Sequence, residues 1–371
     1  MPRKLKILIL NWRDIKNPSS GGAEVLTHEI AKRWVGWGNG IYYLTSSFKG
    51  AKKEEIIDGI KIIRMGSPDA RNLFGSIHFQ AFLYYLKNLR GKFDVVIDEI
   101  HGIPFFTPLY VKEKKVALIC EVAGRIWDIS FPFPFNLLGK YVEKNYFKFY
   151  KNINFLTISN STKDELLGFG VERNKITVLP MGITKPSALP KFKKEKVPTI
   201  IFVARLVRSK GVEDAVSVCK ILEKEFPDIK LWIVGPGEES YVRKLKNKVQ
   251  GLRLEENISF FGFVSQSKKF ELMQKAHILI VPSIKEGFGL TIPEAGLMGT
   301  PSVAYNVEGL RDIIKNNGLL VEPNVSDLAN GIGKLLNDKN LYFEMRTSAQ
   351  TYARTLDWDL TAKKGLEILS K

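Results

Sequence analysis

Cysteine is nearly missing from this 371-residue chain: Cys120 and Cys219 are the only two, far apart and outside any C-x-x-C spacing. That argues against a disulfide framework or a thiolate zinc site and suits a reducing cytosol. Long apolar runs are missing too, and no stretch approaches the roughly 18–20 residues that a membrane-spanning helix requires. The opening Met1-Pro2-Arg3-Lys4 is basic, like the start of a signal peptide. The apolar run behind it is short, stops at Asn11-Trp12-Arg13-Asp14, and lacks a small-residue cleavage site. It reads as a buried first strand. No nucleic-acid recognition motif or aromatic platform is evident, so nucleic acid is not an expected partner.

Apolar residues make up 44% and charged residues 26%, an ordinary globular balance. The length exceeds what one hydrophobic core usually sustains, so two domains are expected. The net charge of +17 leans modestly toward the first half. A basic surface attracts phosphate, on nucleotides, nucleic acid or anionic lipid; solubility alone is the other reading.

Short β-branched runs alternate with longer amphipathic segments, the pattern of parallel βαβ units. The first half predicts strands over 6–11, 41–45, 60–64, 95–98, 116–120, 155–158 and 176–179, with helices such as 23–35 and 79–89 between them. Residues 183–198 hold three prolines and several lysines without periodicity and read as a linker. The alternation restarts with strands over 199–204, 230–234, 258–261, 278–281, 302–304 and 319–321, separated by helices over 212–226, 241–252, 267–274 and 325–336. The expected architecture is α/β, two doubly wound halves facing across a cleft at the carboxyl ends of their strands. Their predicted extents are 1–185 and 186–354, with a helix over about 355–371 packing back on the first.

Three segments carry chemistry. Gly21-Gly22-Ala23-Glu24 follows the first strand and opens a helix. Glycine admits a close ligand and free N–H groups at a helix start favour anions, although this is neither G-x-G-x-x-G nor the Walker pattern. Arg205 and Lys210 flank the turn after the first strand of the second half. A planar fork and a mobile ammonium there can clamp a diphosphate, or the loop is simply basic and solvated. The run Glu286-Gly287-Phe288-Gly289-Leu290-Thr291-Ile292-Pro293-Glu294 follows an apolar strand. Its glycines open a turn, Pro293 suits a first helical turn, and both glutamates can accept hydrogen bonds from sugar or ribose hydroxyls. Two solvated glutamates are the alternative.

This run resembles the E-x7-E element of glycosyltransferase family 4, enzymes of the GT-B fold. Other segments resemble the family's in order: Gly21-Gly22-Ala23-Glu24, Ser159-Asn160-Ser161-Thr162-Lys163, Val178-Leu179-Pro180-Met181-Gly182-Ile183, the pair Arg205 and Lys210, Gly262-Phe263-Val264, and Gly299-Thr300-Pro301-Ser302-Val303-Ala304. The resemblance implies a retaining hexosyltransferase that takes a nucleotide sugar, such as a UDP- or GDP-sugar. Arg205 and Lys210 would hold the diphosphate and Glu294 the ribose. Glu286 with Gly287, Phe288, Gly289 and Leu290 would hold the sugar; Phe263 and Val264 would lie beside the base, and Gly21 and Gly22 near phosphate. It implies no cofactor and no metal, in keeping with the lack of D-x-D in a suitable loop.

The chain departs from the family where a histidine is usual. Cys120 takes that position, with Glu121 beside it, so Glu121 substitutes, activity is low, or Cys120 is a small buried hydrophobe. His101 is the other candidate on the acceptor side. The family's paired glycines after Pro301 are here Glu308-Gly309. The acceptor, a glycan, a lipid-linked glycan or another group, is expected on the first half. There Lys140, Lys144, Lys148 and Lys151 recur at helical spacing beside aromatic residues. That stripe fits an anionic membrane surface, hence a cytoplasmic protein peripheral to the inner face of a membrane, or else a helix with its lysines in water. The alternatives to a transferase are another GT-B enzyme such as a nucleotide-sugar epimerase, and a donor-binding homologue of reduced activity.

Overall fold

The computed structural model describes residues 3–67, 74–186 and 192–371. They form two compact units. The first comprises Met1–Gly182 with Asp357–Lys371, the second Ile183–Leu356.

The first unit holds an eight-stranded sheet: β1 (Lys6–Leu10), β2 (Gly40–Thr45), β3 (Glu54–Ile57), β4 (Ile60–Arg64), β5 (Val95–Ile100), β6 (Lys114–Ile119), β7 (Asn154–Thr157) and β8 (Ile176–Val178). The spatial order is β3-β4-β2-β1-β5-β6-β7-β8, parallel except for the β3–β4 hairpin. The order reverses between β1 and β5, making their carboxyl ends the switch point at which doubly wound sheets bind ligands. Ile7, Leu8, Ile9 and Leu10 are all buried, as a strand covered on both faces requires.

The second unit repeats the scheme with β9 (Thr199–Val203), β10 (Lys230–Val234), β11 (Ile258–Gly262), β12 (Ile278–Val281), β13 (Ser302–Tyr305) and β14 (Gly318–Val321). All are parallel in the order β11-β10-β9-β12-β13-β14, so its switch point lies between β9 and β12.

Three local features differ from the sequence reading. Strand β3 was not predicted; it is a half-exposed edge closed onto β4 by Asp58-Gly59, both at positive φ. The helix expected over 79–89 starts at Ile77, capped by the Ser76 hydroxyl, and ends in a wider π turn, Tyr85–Leu89. The linker is partly structured: Phe192 N–H donates to Gln274 Oε1 at 2.7 Å, and the Lys194 ammonium donates to Thr300 Oγ1 at 2.6 Å. Its residues 187–191 lie outside the described residues.

The helix Trp358–Ser370 belongs to the first unit. The chain crosses back from Leu356 to Asp357, two residues beyond the predicted boundary, and the first edge is observed at Gly182 rather than 185. Trp34 Nε1 donates to Ala362 O at 2.8 Å, and Lys114 Nζ donates to Ile368 O and Leu369 O at 3.1 and 2.8 Å. The lysine thereby satisfies carbonyls that a helix end leaves open. No described helix is long and apolar enough to cross a membrane.

Candidate functional site

In the second unit, the loops leaving β9 and β12 are laced together at the switch point. Ile284 N–H donates to Ser209 O at 3.0 Å. Gly211, at φ +71°, makes that approach possible, because a methyl group there would lie 2.0 Å from Pro282 O. The approach delivers Lys210 to Glu286: Nζ donates to Oε1 at 2.7 Å, and the Ser283 hydroxyl donates to the same oxygen at 2.8 Å. Arg205 leaves the same strand end half-buried, joined to no carboxylate among the described residues.

Gly287 and Phe288 are buried, Gly289 stands at φ +83°, and Leu290 precedes the helix Thr291–Leu297. Gly309, at φ +78°, lies under this loop, and a Cβ there would come 2.0 Å from Glu286 O. The glycine at the Glu308-Gly309 departure is thus required for packing, while Glu308 pairs outward with Arg311. Glu294 sits in the first turn of its helix, 8% exposed, with both carboxylate oxygens accepting from Lys269 Nζ at 2.7 Å. Lys269 rides on the helix Gln266–Lys275, entered through Gly262, an 82% exposed Phe263 and a half-buried Val264.

In the first unit, Gly21 caps the helix Gly22–Gly36, and its N–H donates to Glu24 Oε2 at 2.6 Å. Glu24 Oε1 accepts from Trp12 Nε1 at 3.2 Å, tying the loop after β1 to the helix start. Trp12 stacks on His101, with ring centroids 5.3 Å apart. His101 Nε2 lies 3.0 Å from Glu99 Oε1, and Thr27 Oγ1 donates to Glu99 Oε2 at 2.7 Å. Burial pushes the Glu99 carboxyl up. For His101 burial works against the charged ring, but the hydrogen bond and charge of Glu99 outweigh it and hold its pKa above the ordinary value. Cys120 follows β6 directly, beside this cluster, and its carbonyl accepts from Thr162 Oγ1 at 3.0 Å. Burial, with Glu99, Glu121 and Glu24 nearby, pushes its thiol well above the usual range. A thiol kept protonated is neither a nucleophile nor a base at neutral pH. Glu121 is half-buried next to it.

The four lysines do not form one stripe. The α-helix covers Phe135–Tyr146 and gives way to a 3₁₀ turn, Phe147–Tyr150, which changes the pitch before Lys148 and Lys151. Lys140 is neutralised by Asp128 at 2.5 Å; Lys144 is exposed.

The structure therefore gathers Arg205, Lys210, Glu286 to Leu290 and Glu294 in one unit, and Gly21, Gly22, His101, Cys120 and Glu121 in the other. Sequence reasoning missed Lys269, Ser283, Trp12 and Glu99. Nothing in the spacing of Lys269 marks it, whereas Trp12 and Glu99 sit at ends of switch-point strands and were findable on that ground.

Such paired switch-point sites on two doubly wound sheets define the GT-B class of sugar-transferring enzymes. The model of "Glycosyltransferase Family 4" matches residues 20–185 and that of "Glycosyl transferases group 1" residues 186–355. The chain belongs to this glycosyltransferase family. An uncharacterized glycosyltransferase of Haemophilus influenzae is 33% identical over 172 residues, 44% of this chain; the match spans 48% of that relative's length. Among solved structures, sucrose-phosphate synthase from Thermosynechococcus elongatus superposes with a TM-score of 0.81 at 19% identity, covering 99% of this chain and 98% of that one. Anabaena HepE in complex with UDP and glucose gives 0.75 at 19% identity, each chain covered to 99%.

Proposed function

We propose that this chain is a retaining, metal-independent glycosyltransferase that moves a sugar from a nucleotide-sugar donor to a glycan or lipid-linked acceptor. The observation that carries this reading is the second unit's switch point, where Arg205 and the Lys210–Glu286 pair stand at adjoining strand ends.

The chemistry follows from charge. Breaking the bond between the anomeric carbon and the diphosphate leaves negative charge on the departing group. Lys210 is held beside that position by Glu286, so a diphosphate finds a preplaced cation and Arg205 supplies a fork to match it. As Lys210 turns to the phosphate, the Glu286 carboxylate is released to accept from sugar hydroxyls. Glu294 accepts from ribose hydroxyls while Lys269 fixes its orientation. UDP and glucose in the HepE complex make a UDP-sugar the first donor to test. The one D-x-D of the chain, Asp357-Trp358-Asp359, is occupied otherwise: Asp357 caps its helix and Asp359 pairs with Arg33 at 2.5 Å. That use supports the metal-independent reading. On the acceptor side, His101, held by the buried Glu99, is the polar group available to hydrogen-bond an acceptor.

Thermal stabilisation by a panel of nucleotide sugars, followed by assay of nucleoside diphosphate release with and without acceptors and chelator, tests the proposal. Stabilisation by one donor and chelator-resistant release are expected, with the product's anomeric coupling matching the donor's. No response to any nucleotide or nucleotide sugar would sink it; an inverted product would refute retention alone.

A further inference from the structure

At the amino ends of β9, β12 and β13 the second unit gathers two cations that meet no carboxylate among the described residues. The Lys194 ammonium spends two of its three N–H groups on Thr300 Oγ1 and Ala276 O. Gly299, next to Thr300, stands at φ +73°, and the helix Lys339–Thr355 covers its bare Cα. A Cβ there would lie 3.0 Å from Gln350 Nε2 and 3.1 Å from Arg346 Nε. Arg346 and Gln350 are one turn apart on that helix and half-buried. Among the described residues neither side chain has a hydrogen-bond or ion-pair partner.

The other groups around Lys194 leave this charge uncompensated. The charge of Glu195 acts on Lys275, and Glu271 is shared by Lys268 and Lys275. His277 Nδ1 accepts from Thr199 N–H at 3.1 Å, and burial, with Lys194 nearby, lowers its pKa to about 4, so the ring is neutral. Tyr342 OH donates to His277 O at 3.1 Å. Lys194 and Arg346 therefore repel: burial first, then the charge of Arg346, bring the lysine's pKa down to about 7. An oxyanion between them turns that repulsion into attraction, and a guanidinium fork beside an amide matches its oxygens.

We propose that Gly299 and Thr300 form the floor of a binding site for a phosphate-type oxyanion, inorganic phosphate or a phosphate monoester, held by Arg346, Gln350 and Lys194. The loops that carry Arg205, Lys210 and Glu286 leave the opposite ends of the same strands, so roughly 15 Å of sheet separates the two places. This site needs no donor and is independent of the transferase reading.

The test is calorimetric titration of sulfate, a tetrahedral oxyanion whose own charge is fixed near neutral pH, into the full chain carrying Arg205→Ala and Lys210→Ala. Those changes keep anions from the donor loops. One sulfate should bind and, near pH 8, draw part of a proton from the buffer, seen as heats that differ between buffers of different ionisation enthalpy. Adding Arg346→Gln should weaken binding at least about tenfold, and Arg346→Lys, which keeps the charge without the fork, should fall between. Without sulfate, Arg346→Gln should not lower the melting temperature, because it removes a repulsion; its loss of binding is then not unfolding. Adding Lys194→Met should weaken binding and abolish the proton uptake. Phosphate and glycerol 3-phosphate, titrated in turn, separate the free ion from a monoester by which binds more tightly. No sulfate binding by the Arg205→Ala, Lys210→Ala chain, binding unchanged by Arg346→Gln, or proton uptake unchanged by Lys194→Met would overturn the proposal.

Discussion

Lysines decide much of the chemistry at the scale of single residues, because each is defined by the carboxylate it meets. Lys210 and Glu286 belong to motifs that the sequence marks, so their pairing refines a visible site. Arg205→Ala with Lys210→Ala should lower turnover by at least about 10²–10³-fold, the usual cost of removing preorganised charge from a departing group, in a steady-state assay of diphosphate release. Lys269 is different: four hydrophilic residues surround it in Gln266–Glu271, and only the fold aims it at Glu294. Lys269→Met should raise the donor KM with little change in kcat, and Lys269→Arg should restore it; an unchanged KM would remove the positioning role. Cys120 could be placed in register with the family's histidine from sequence, but its state could not. Burial raises its thiol first, and three carboxylates from separate segments, Glu99, Glu121 and Glu24, add to it. Neither cysteine should react with an alkylating reagent at pH 8 in the native protein, and both should after denaturation, as counted by mass.

Elements were legible to the extent that their pattern was local. The buried strands announced themselves as β-branched runs, and the loops after β9 and β12 carried their motifs openly. The hairpin strand β3 did not, since its side chains are half exposed and only the Asp58-Gly59 turn signals it. Glycine roles were legible as flexibility but not as contact. Gly211→Ala places a methyl group against Pro282 O in a backbone conformation that costs a non-glycine residue about 1–3 kcal/mol. It should lower the melting temperature and weaken donor binding together, because the same turn carries Lys210. The linker lysine Lys194 is a case the sequence conceals. Burial, with Arg346 nearby, lowers its pKa to about 7. The unfolded chain keeps that proton to about pH 10.4, so between pH 7 and 10 the unfolded state binds more protons and stability rises with pH. Lys194→Met should flatten the rise in melting temperature over that window; an identical slope would show that another group sets it.

The whole molecule is two repeats of one sheet logic, and the count of halves was readable from the restart of the alternation near residue 199. The discontinuity of the first unit was only partly so, because a helix far along the chain gives no local sign of which sheet it covers. Trp34 is fully buried, with the helix Trp358–Ser370 against it. A chain ending at Leu356 should lose on the order of 3–5 kcal/mol from the first unit, the scale of losing a buried tryptophan's packing. Tryptophan emission should shift to the red and an earlier unfolding transition should appear, while the second unit's transition stays in place.

That same helix gives the first unit a delay in time. A ribosome adding about 5–20 residues per second needs roughly 10–35 s to make the second unit, residues 183–356, before the segment that covers Trp34 emerges. Through that interval the nascent first unit carries an open apolar seam beside a complete eight-stranded sheet, and the second unit can fold ahead of it.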